Sequence, residues 1–507
     1  MKINKIIYRA LLLLSFVALN GLVLIGISAM LSYLNTGAER TSILHIEQNF
    51  EETYSPKIVW HNTTNEGREI EDQTLQSIEE DYKNAWNVRN IALASNNMYG
   101  VDDFFTTSAR AKLDSIIKLN SKNGITLVTT SIQHNPTVDF YSADGKLVVF
   151  TDNNAEQYNE VYSNNTLVSN FYSTPSYKVM MLLEDGFWRI RHLVEINKKN
   201  TANTLIPQKK QQSKSIASGI NYYPKNTPWN MFGKTYNSSV IEKDFALIQE
   251  LQLNTIRIFV PYEAFGKANV DPKKLMQLKQ TLDIAERHKL NVIVTLFDFY
   301  GNYDVQDWTL NHRHAEQIVN ALKNHPALVA WDIKNEPDLD FESRGKLKVI
   351  AWLKEMIKNI RKWDSKTNIT IGWSSTEAAE NLVEEVDIVS FHYYKEPKDF
   401  LKSFAVLKNK AKGKDLVLQE YGYSSYSGFW NLFTGSIDDQ AAYYKEMQLY
   451  IEQENIPFVL WTLYDFETIP TAVVGRLPWR KNQQKYFGLF TVDGQPKDAL
   501  QYIKPKK

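Results

Sequence analysis

The chain opens with an uncharged apolar run, Ala10 to Leu34, behind a basic flank of Lys2, Lys5 and Arg9. About 20 apolar residues cross a bilayer, whereas a cleaved signal has an apolar core of roughly 7–15. The length favours an uncleaved anchor over residues 1–34, although Ile27-Ser28-Ala29 resembles a cleavage site. Basic flanks belong on the cytoplasmic side. A single-pass protein of the cell membrane is therefore expected, with its later domains extracytoplasmic. Residues 35–70 are polar and read as a stalk.

From Asp72 the pattern turns helical. Leu75, Ile78, Tyr82, Ala85 and Trp86 recur at three- and four-residue spacing, and Ser108–Leu119 is a second amphipathic stretch. The runs "GITLVTTSIQ", "TVDFYSA", "KLVVFTD", "SYKVMMLLED" and "FWRIRHLVEI" then read as strands. The last two predict a hairpin turning on Asp185-Gly186. Helices followed by antiparallel strands predict a small α+β domain over 71–198. Trp86 and Trp188 fall in its expected core, and no catalytic grouping stands out. The following polar, basic stretch has little periodicity and predicts a linker over 199–216.

From Gly219 short apolar strands alternate with helical segments. The strands are "GINYY", "NTIRIFV", "NVIVTLFDF", "LVAWDIKN", "NITIGWSS", "DIVSFHYY", "DLVLQEYG" and "FVLWTLYDF". Eight strand–helix units predict an α/β fold, a (β/α)8 TIM barrel over 217–507. A doubly wound sheet is the competitor, but the chain has neither GxGxxG nor a P-loop.

Composition narrows the chemistry. The 58 Lys and Arg balance the 58 Asp and Glu, which argues against a bulk nucleic-acid binder. With no cysteine, disulfides, thiolate metal sites and a cysteine nucleophile are excluded. No His/Asp cluster has ligand spacing, so neither metal nor cofactor is expected.

Barrel enzymes place their chemistry at the C-terminal strand ends. The polar residues there are Arg257, Asp298, Asn335, Glu336, His392, Tyr394, Glu420, Trp461 and Asp465. Glu336 and Glu420 lie on different strands, and a pair of carboxyls flanking one bond is what glycoside hydrolysis needs. Trp229, Trp308, Trp430 and Trp479 lie in candidate loops, where an indole either stacks on a sugar ring or packs at the rim.

Five of these stretches, "TIRIF", "WDIKNEP", "SFHYY", "VLQEYG" and "VLWTLYDF", occur in order and resemble clan A glycoside hydrolases, best matching glycoside hydrolase family 5, over about 216–503. The resemblance implies Glu336 as acid/base and Glu420 as nucleophile. It implies Asn335 on the sugar 2-hydroxyl, Arg257 keeping Glu420 ionised, Tyr394 donating to Glu420, His392 shaping the site and Trp461 flooring the sugar. One departure stands out: the family commonly has a histidine after the third strand, where this chain has Phe297 and Asp298. Residues 70–198 resemble the NTF2-like (SnoaL-like) cone, through the leading helices and the "EDGFWRIRHL" hairpin.

The expected function is a membrane-anchored retaining β-glycosidase acting on a β-linked polysaccharide or oligosaccharide of the β-glucan or β-mannan class. Transglycosylation and a carbohydrate-binding module are the alternatives. An anchor suggests work on polymer near the membrane, alongside polysaccharide synthesis or export machinery or in wall remodelling.

Overall fold

The computed structural model describes residues 5–35, 54–61, 65, 67–196, 216–428 and 435–503. The linker expected over 199–216 lies outside them except at residue 216, as does Trp430. Helix α1 (Lys5–Asn35) covers the apolar run. Its described side chains include Leu13, Leu14, Leu22 and Ile25, each more than 60% exposed with no protein over them. Among the described residues no helix is long and apolar enough to cross a membrane.

The middle domain is α+β. Helices α2 (Asp72–Ser95) and α3 (Thr107–Lys122) pack against strands β1 (Lys57–Ile58), β2 (Ile125–His134), β3 (Pro136–Tyr141), β4 (Leu147–Asp152), β5 (Glu156–Ser163), β6 (Thr166–Ser173), β7 (Ser176–Glu184) and β8 (Phe187–Ile196). They form two sheets, in the orders β1-β2-β5-β6 and β3-β4-β7-β8. The apolar face of α2 is buried through Ile78, Tyr82, Ala85 and Trp86, as its spacing predicts. Trp86 and Trp188 are core residues. The β7–β8 hairpin turns on Asp185 and Gly186, both at positive φ, as a type I′ turn requires.

Three features of this domain escape the pattern. Strands β5 and β6 join through Asn164-Asn165, again at positive φ, but β6 is an almost wholly exposed edge with no apolar stripe. Part of the expected stalk is built in: Tyr54 is buried, and Lys57–Ile58 pairs in parallel with β2. Finally, His134 and Asp152 are fully buried side by side, with Nδ1 to Oδ2 at 2.6 Å, and the Tyr82 hydroxyl donates to the same carboxylate.

The C-terminal part is the expected barrel. Strands β9 (Ser218–Asn221), β10 (Thr255–Pro261), β11 (Asn291–Asp298), β12 (Leu328–Asn335), β13 (Asn368–Trp373), β14 (Ile388–Tyr393), β15 (Asp415–Tyr421) and β16 (Phe458–Leu460) each overlap one of the eight predicted apolar runs, although the last strand stops at Leu460, well short of its run. All are parallel, and β16 closes on β9 through Phe458–Ser218, Val459–Gly219 and Leu460–Ile220. Around them stand helices α4 (Ser238–Glu250), α5 (Pro272–Arg287), α6 (Trp308–Leu322), α7 (Lys346–Trp363), α8 (Phe400–Lys410), α9 (Ile437–Gln453) and the short α10 (Pro478–Lys485). Asn237 and Asp271 cap α4 and α5 by accepting first-turn N–H bonds. A buried apolar cluster including Ile293, Ala330, Ile388, Val417 and Val459 fills one layer of the interior, and polar side chains occupy the next.

The two domains share a face. Tyr158 stacks on Trp308 at 4.4 Å, Ile132 joins the barrel's core cluster, and Ser55 N–H donates to Thr309 at 3.0 Å. Lys57–Glu316 and Lys362–Glu156 add ion pairs. Of the two readings open for Trp308, stacking on a sugar and packing, the structure selects packing: it is fully buried.

Candidate active site

Arg257 is the centre of the polar layer. It points inward from β10 and is fully buried, so each of its donors must find a partner. Its Nη2 and Nε reach Asp332 Oδ2 at 2.6 and 3.0 Å, and Nε also reaches the Thr295 hydroxyl. Nη2 donates to Asn335 Oδ1 at 2.8 Å. Nη1 donates to Asn221 Oδ1 and to Glu420 Oε2, both at 3.1 Å. Five side chains from four strands are thus tied to one guanidinium, whose rigid fork suits such a hub. Burial alone would lower the Arg257 pKa, but the charges of Asp332 and Glu420 outweigh it and the net shift is upward.

Glu336 follows the last residue of β12. Its backbone is left-handed, with φ 47° and ψ 54°, and Pro337 starts a 3₁₀ turn directly after it. A non-glycine residue there is strained, and its N–H is held by Gly372 O at 2.7 Å. The turn aims the carboxylate into the mouth of the barrel. His392, at the end of β14, is fully buried, and its Nδ1 is hydrogen-bonded to Glu336 Oε1 at 3.0 Å and lies 3.7 Å from Glu420 Oε2. Burial pulls the His392 pKa down, but the Glu420 charge and the Glu336 contact outweigh it and leave it raised.

Glu420, on β15, has both oxygens engaged: Tyr394 O–H donates to Oε1 at 2.6 Å while Arg257 holds Oε2. Burial, then the Glu420 charge, pushes the Tyr394 pKa well above the ordinary tyrosine value, so the phenol remains a donor. Oxygens of Glu336 and Glu420, with a ring nitrogen of His392, lie within 4.8 Å of one another. Such a set could ligate a cation, but the Arg257 guanidinium against Glu420 opposes one by like-charge repulsion.

Gly372 explains how the hub fits. A Cβ there would lie 2.6 Å from Gln419 Oε1 and 2.7 Å from Arg257 Nη2. The cleft above has a volume of about 580 Å³ and is lined by Trp229, Asp298, Asn335, Glu336, Glu420 and Trp461, among others. Trp461 forms part of the floor and packs on Trp229 at 5.7 Å. Asp298 receives the Tyr223 hydroxyl at 3.4 Å. Asp465 does not face the cleft: Lys497 Nζ pairs with it at 2.7 Å, both nearly buried. Trp479 lies on α10 but does not line the cleft.

All eight residues expected at the site, Arg257, Asp298, Asn335, Glu336, His392, Tyr394, Glu420 and Trp461, therefore gather at one end of the barrel. Sequence reasoning missed Asp332, Asn221 and Thr295, which hold Arg257, and Gly372, which makes room for it. A charged residue inside the apolar run of β12 was the one available sign of Asp332.

Comparison with known proteins agrees with this geometry. The family described as cellulase (glycosyl hydrolase family 5) matches residues 213–467. Similar proteins include the β-glucuronidase of Chlorocebus aethiops, 26% identical over 310 residues, covering 55% of this chain and 42% of that protein. Mannan endo-1,4-β-mannosidase A of Podospora anserina is 24% identical over 204 residues, covering 32% of this chain and 54% of that protein. The chain thus spans under half the length of the β-glucuronidases it matches. Among solved structures, the exo-β-1,4-mannosidase Op5Man5 from Opitutaceae bacterium strain TAV5 superposes with a TM-score of 0.46 at 19% identity, covering 57% of this chain and 58% of that one. With its closed barrel and a family match over half its length, the chain belongs to the cellulase family, glycosyl hydrolase family 5.

Proposed function

We propose that the protein is a retaining β-glycosidase that cleaves a β-linked polysaccharide or oligosaccharide of the glucan or mannan class by double displacement. One observation carries the reading: oxygens of Glu336 and Glu420 approach within 4.8 Å at the mouth of the barrel. Retaining pairs sit roughly 5–5.5 Å apart, whereas inverting pairs need about 6.5–9.5 Å to admit a water.

Glu420 attacks the anomeric carbon as the bond to the leaving oxygen breaks, and Glu336 delivers its proton to that oxygen. A glycosyl ester on Glu420 results. Water then attacks the same carbon, Glu336 takes its proton back, and Glu420 leaves as carboxylate. Tyr394 and Arg257 orient the two oxygens of Glu420. Asn335, held by Arg257, is placed to bind the sugar 2-hydroxyl, and Trp461 forms the surface under the ring.

The test separates the two roles. Glu420→Gln should lose at least about a thousandfold in kcat on every substrate while circular dichroism and melting stay native-like. Glu336→Gln should lose far more on glycosides with poor leaving groups than on 4-nitrophenyl glycosides, which need little protonation. Equal losses for both leaving groups, or a Glu420→Gln variant as active as the parent, would overturn the assignment.

We further propose that α1 anchors the chain in the cell membrane with the barrel outside, supported by its uncharged run and uncovered leucines. The middle domain, NTF2-like in its order of helices and hairpin, serves as the spacer. Titrating oligosaccharides into the full chain and finding a second sugar site in that domain would remove the spacer reading.

A further inference from the structure

The wall of the cleft on the nucleophile's side is built by the chain after β16. From Thr468 to Val492 this segment contains Arg476, Arg480, Lys481 and Lys485 and no acidic residue. It includes α10, which leans on the loop after β15: Ser424 O–H donates to Gln483 O at 2.6 Å, and Ser425 N–H to Tyr486 O at 3.0 Å. Phe487 packs edge-on against Tyr394, the residue that donates to Glu420. The segment is therefore tied to the catalytic wall.

Arg480, Gln483 and Gln484 of α10 line the same cleft as Glu336 and Glu420. Arg480 is exposed and forms no ion pair among the described residues, and neither does Lys485. Arg257, buried beneath the cleft, is saturated by Asp332, Asn335, Asn221 and Glu420. The cleft also holds Asp298, Glu336 and Glu420. The ionised Glu420 repels an anionic ligand, so a sugar carrying a carboxylate enters only where a cation offsets it. A guanidinium with its donors unspent, beside two amide side chains, is suited to grip a carboxylate in the planar, two-point manner of arginine.

We propose that Arg480 is a specificity-determining residue that binds a carboxylate on the substrate, so that the polymer cut is a uronate-bearing β-glycan. The proposal rests on the glycosidase reading and narrows its substrate class. Neutral sugars leave Arg480 with water as its only partner. A uronate on a ring in the cleft gives it a counter-charge, and salt should weaken that contact because the group is exposed.

The experiment compares cellotetraose with β-1,4-linked tetraglucuronate, which share a backbone and differ only at C6. Binding to the full chain carrying Glu336→Gln is measured by calorimetry at 20 mM and 500 mM NaCl. The tetraglucuronate should bind about tenfold or more tightly at low salt. That ratio should collapse towards one at high salt, and also when Arg480→Gln is added, while Arg480→Lys retains part of it. Equal or tighter binding of cellotetraose, an undiminished ratio in Arg480→Gln, or binding of neither sugar would overturn the proposal. Cleavage of either tetrasaccharide by the parent chain, and its loss in Glu420→Gln, tests the glycosidase reading separately.

Discussion

His392 sits between two carboxylates with its ring out of water, and opposing forces act on its charge. Burial favours the neutral ring, whereas Glu420 and Glu336 favour the cation and prevail. A pKa raised on folding means that the folded state holds the proton more tightly. Its stabilisation is complete below the unfolded value of about 6.5 and is lost as pH rises through the raised folded value. The free-energy difference between the parent and His392→Gln, followed on the barrel's unfolding transition, should thus be largest near pH 5–6 and shrink toward pH 9. A difference growing with pH would reverse the assigned sign. At this scale the sequence was most informative where motifs end strands: Glu336, His392, Tyr394 and Glu420 were legible there, whereas Arg257, expected at a strand end, lies inside β10. Asp332 was not recognised, because within a buried strand both faces are apolar and periodicity does not reveal which one looks along the barrel axis.

Strand β13 shows how an element serves the site without supplying a reacting group. Its Gly372 has an ordinary backbone conformation, so the reason for glycine is space: Gln419, Arg257 and His392 crowd its α-carbon. Gly372→Ala should destabilise the barrel by about 1–3 kcal/mol, the usual cost of overpacking. It should also lower kcat at least tenfold, because Arg257 must shift and takes Asn335 and Glu420 with it. Denaturant unfolding and steady-state kinetics check both, and an alanine variant matching the parent in each would show that the neighbours yield freely. The eight barrel strands were readable because buried parallel strands are continuous apolar runs. Strand β6 was not, because an exposed edge strand lacks the apolar stripe that marks its neighbours.

Across the whole molecule, the middle domain is docked on α6 and α7 through Tyr158, Trp308, Glu156 and Lys362. The cleft opens at the strand ends. The proposed anchor belongs to this scale. A full-length chain should sediment with membranes and resist extraction by high salt, whereas a chain beginning at residue 54 should remain in the supernatant. It should also hydrolyse short oligosaccharides with kcat/KM within about twofold of the full chain. Recovery of the full-length chain in the soluble fraction would remove the anchor.

Period and order alone determined the barrel, the order of its eight strands and the α+β character of the preceding domain, and motif resemblance singled out Glu336 and Glu420. These depend on local patterns, which the chain displays in one dimension. Only the tertiary structure decided that Trp308 is an interface residue, that Asp465 is spent on Lys497, that Asp332 anchors Arg257, and that Arg480 faces the cleft without a counter-ion. Each of those depends on which distant segment arrives opposite a side chain, and barrel closure sets that partner, not the residues beside it in sequence.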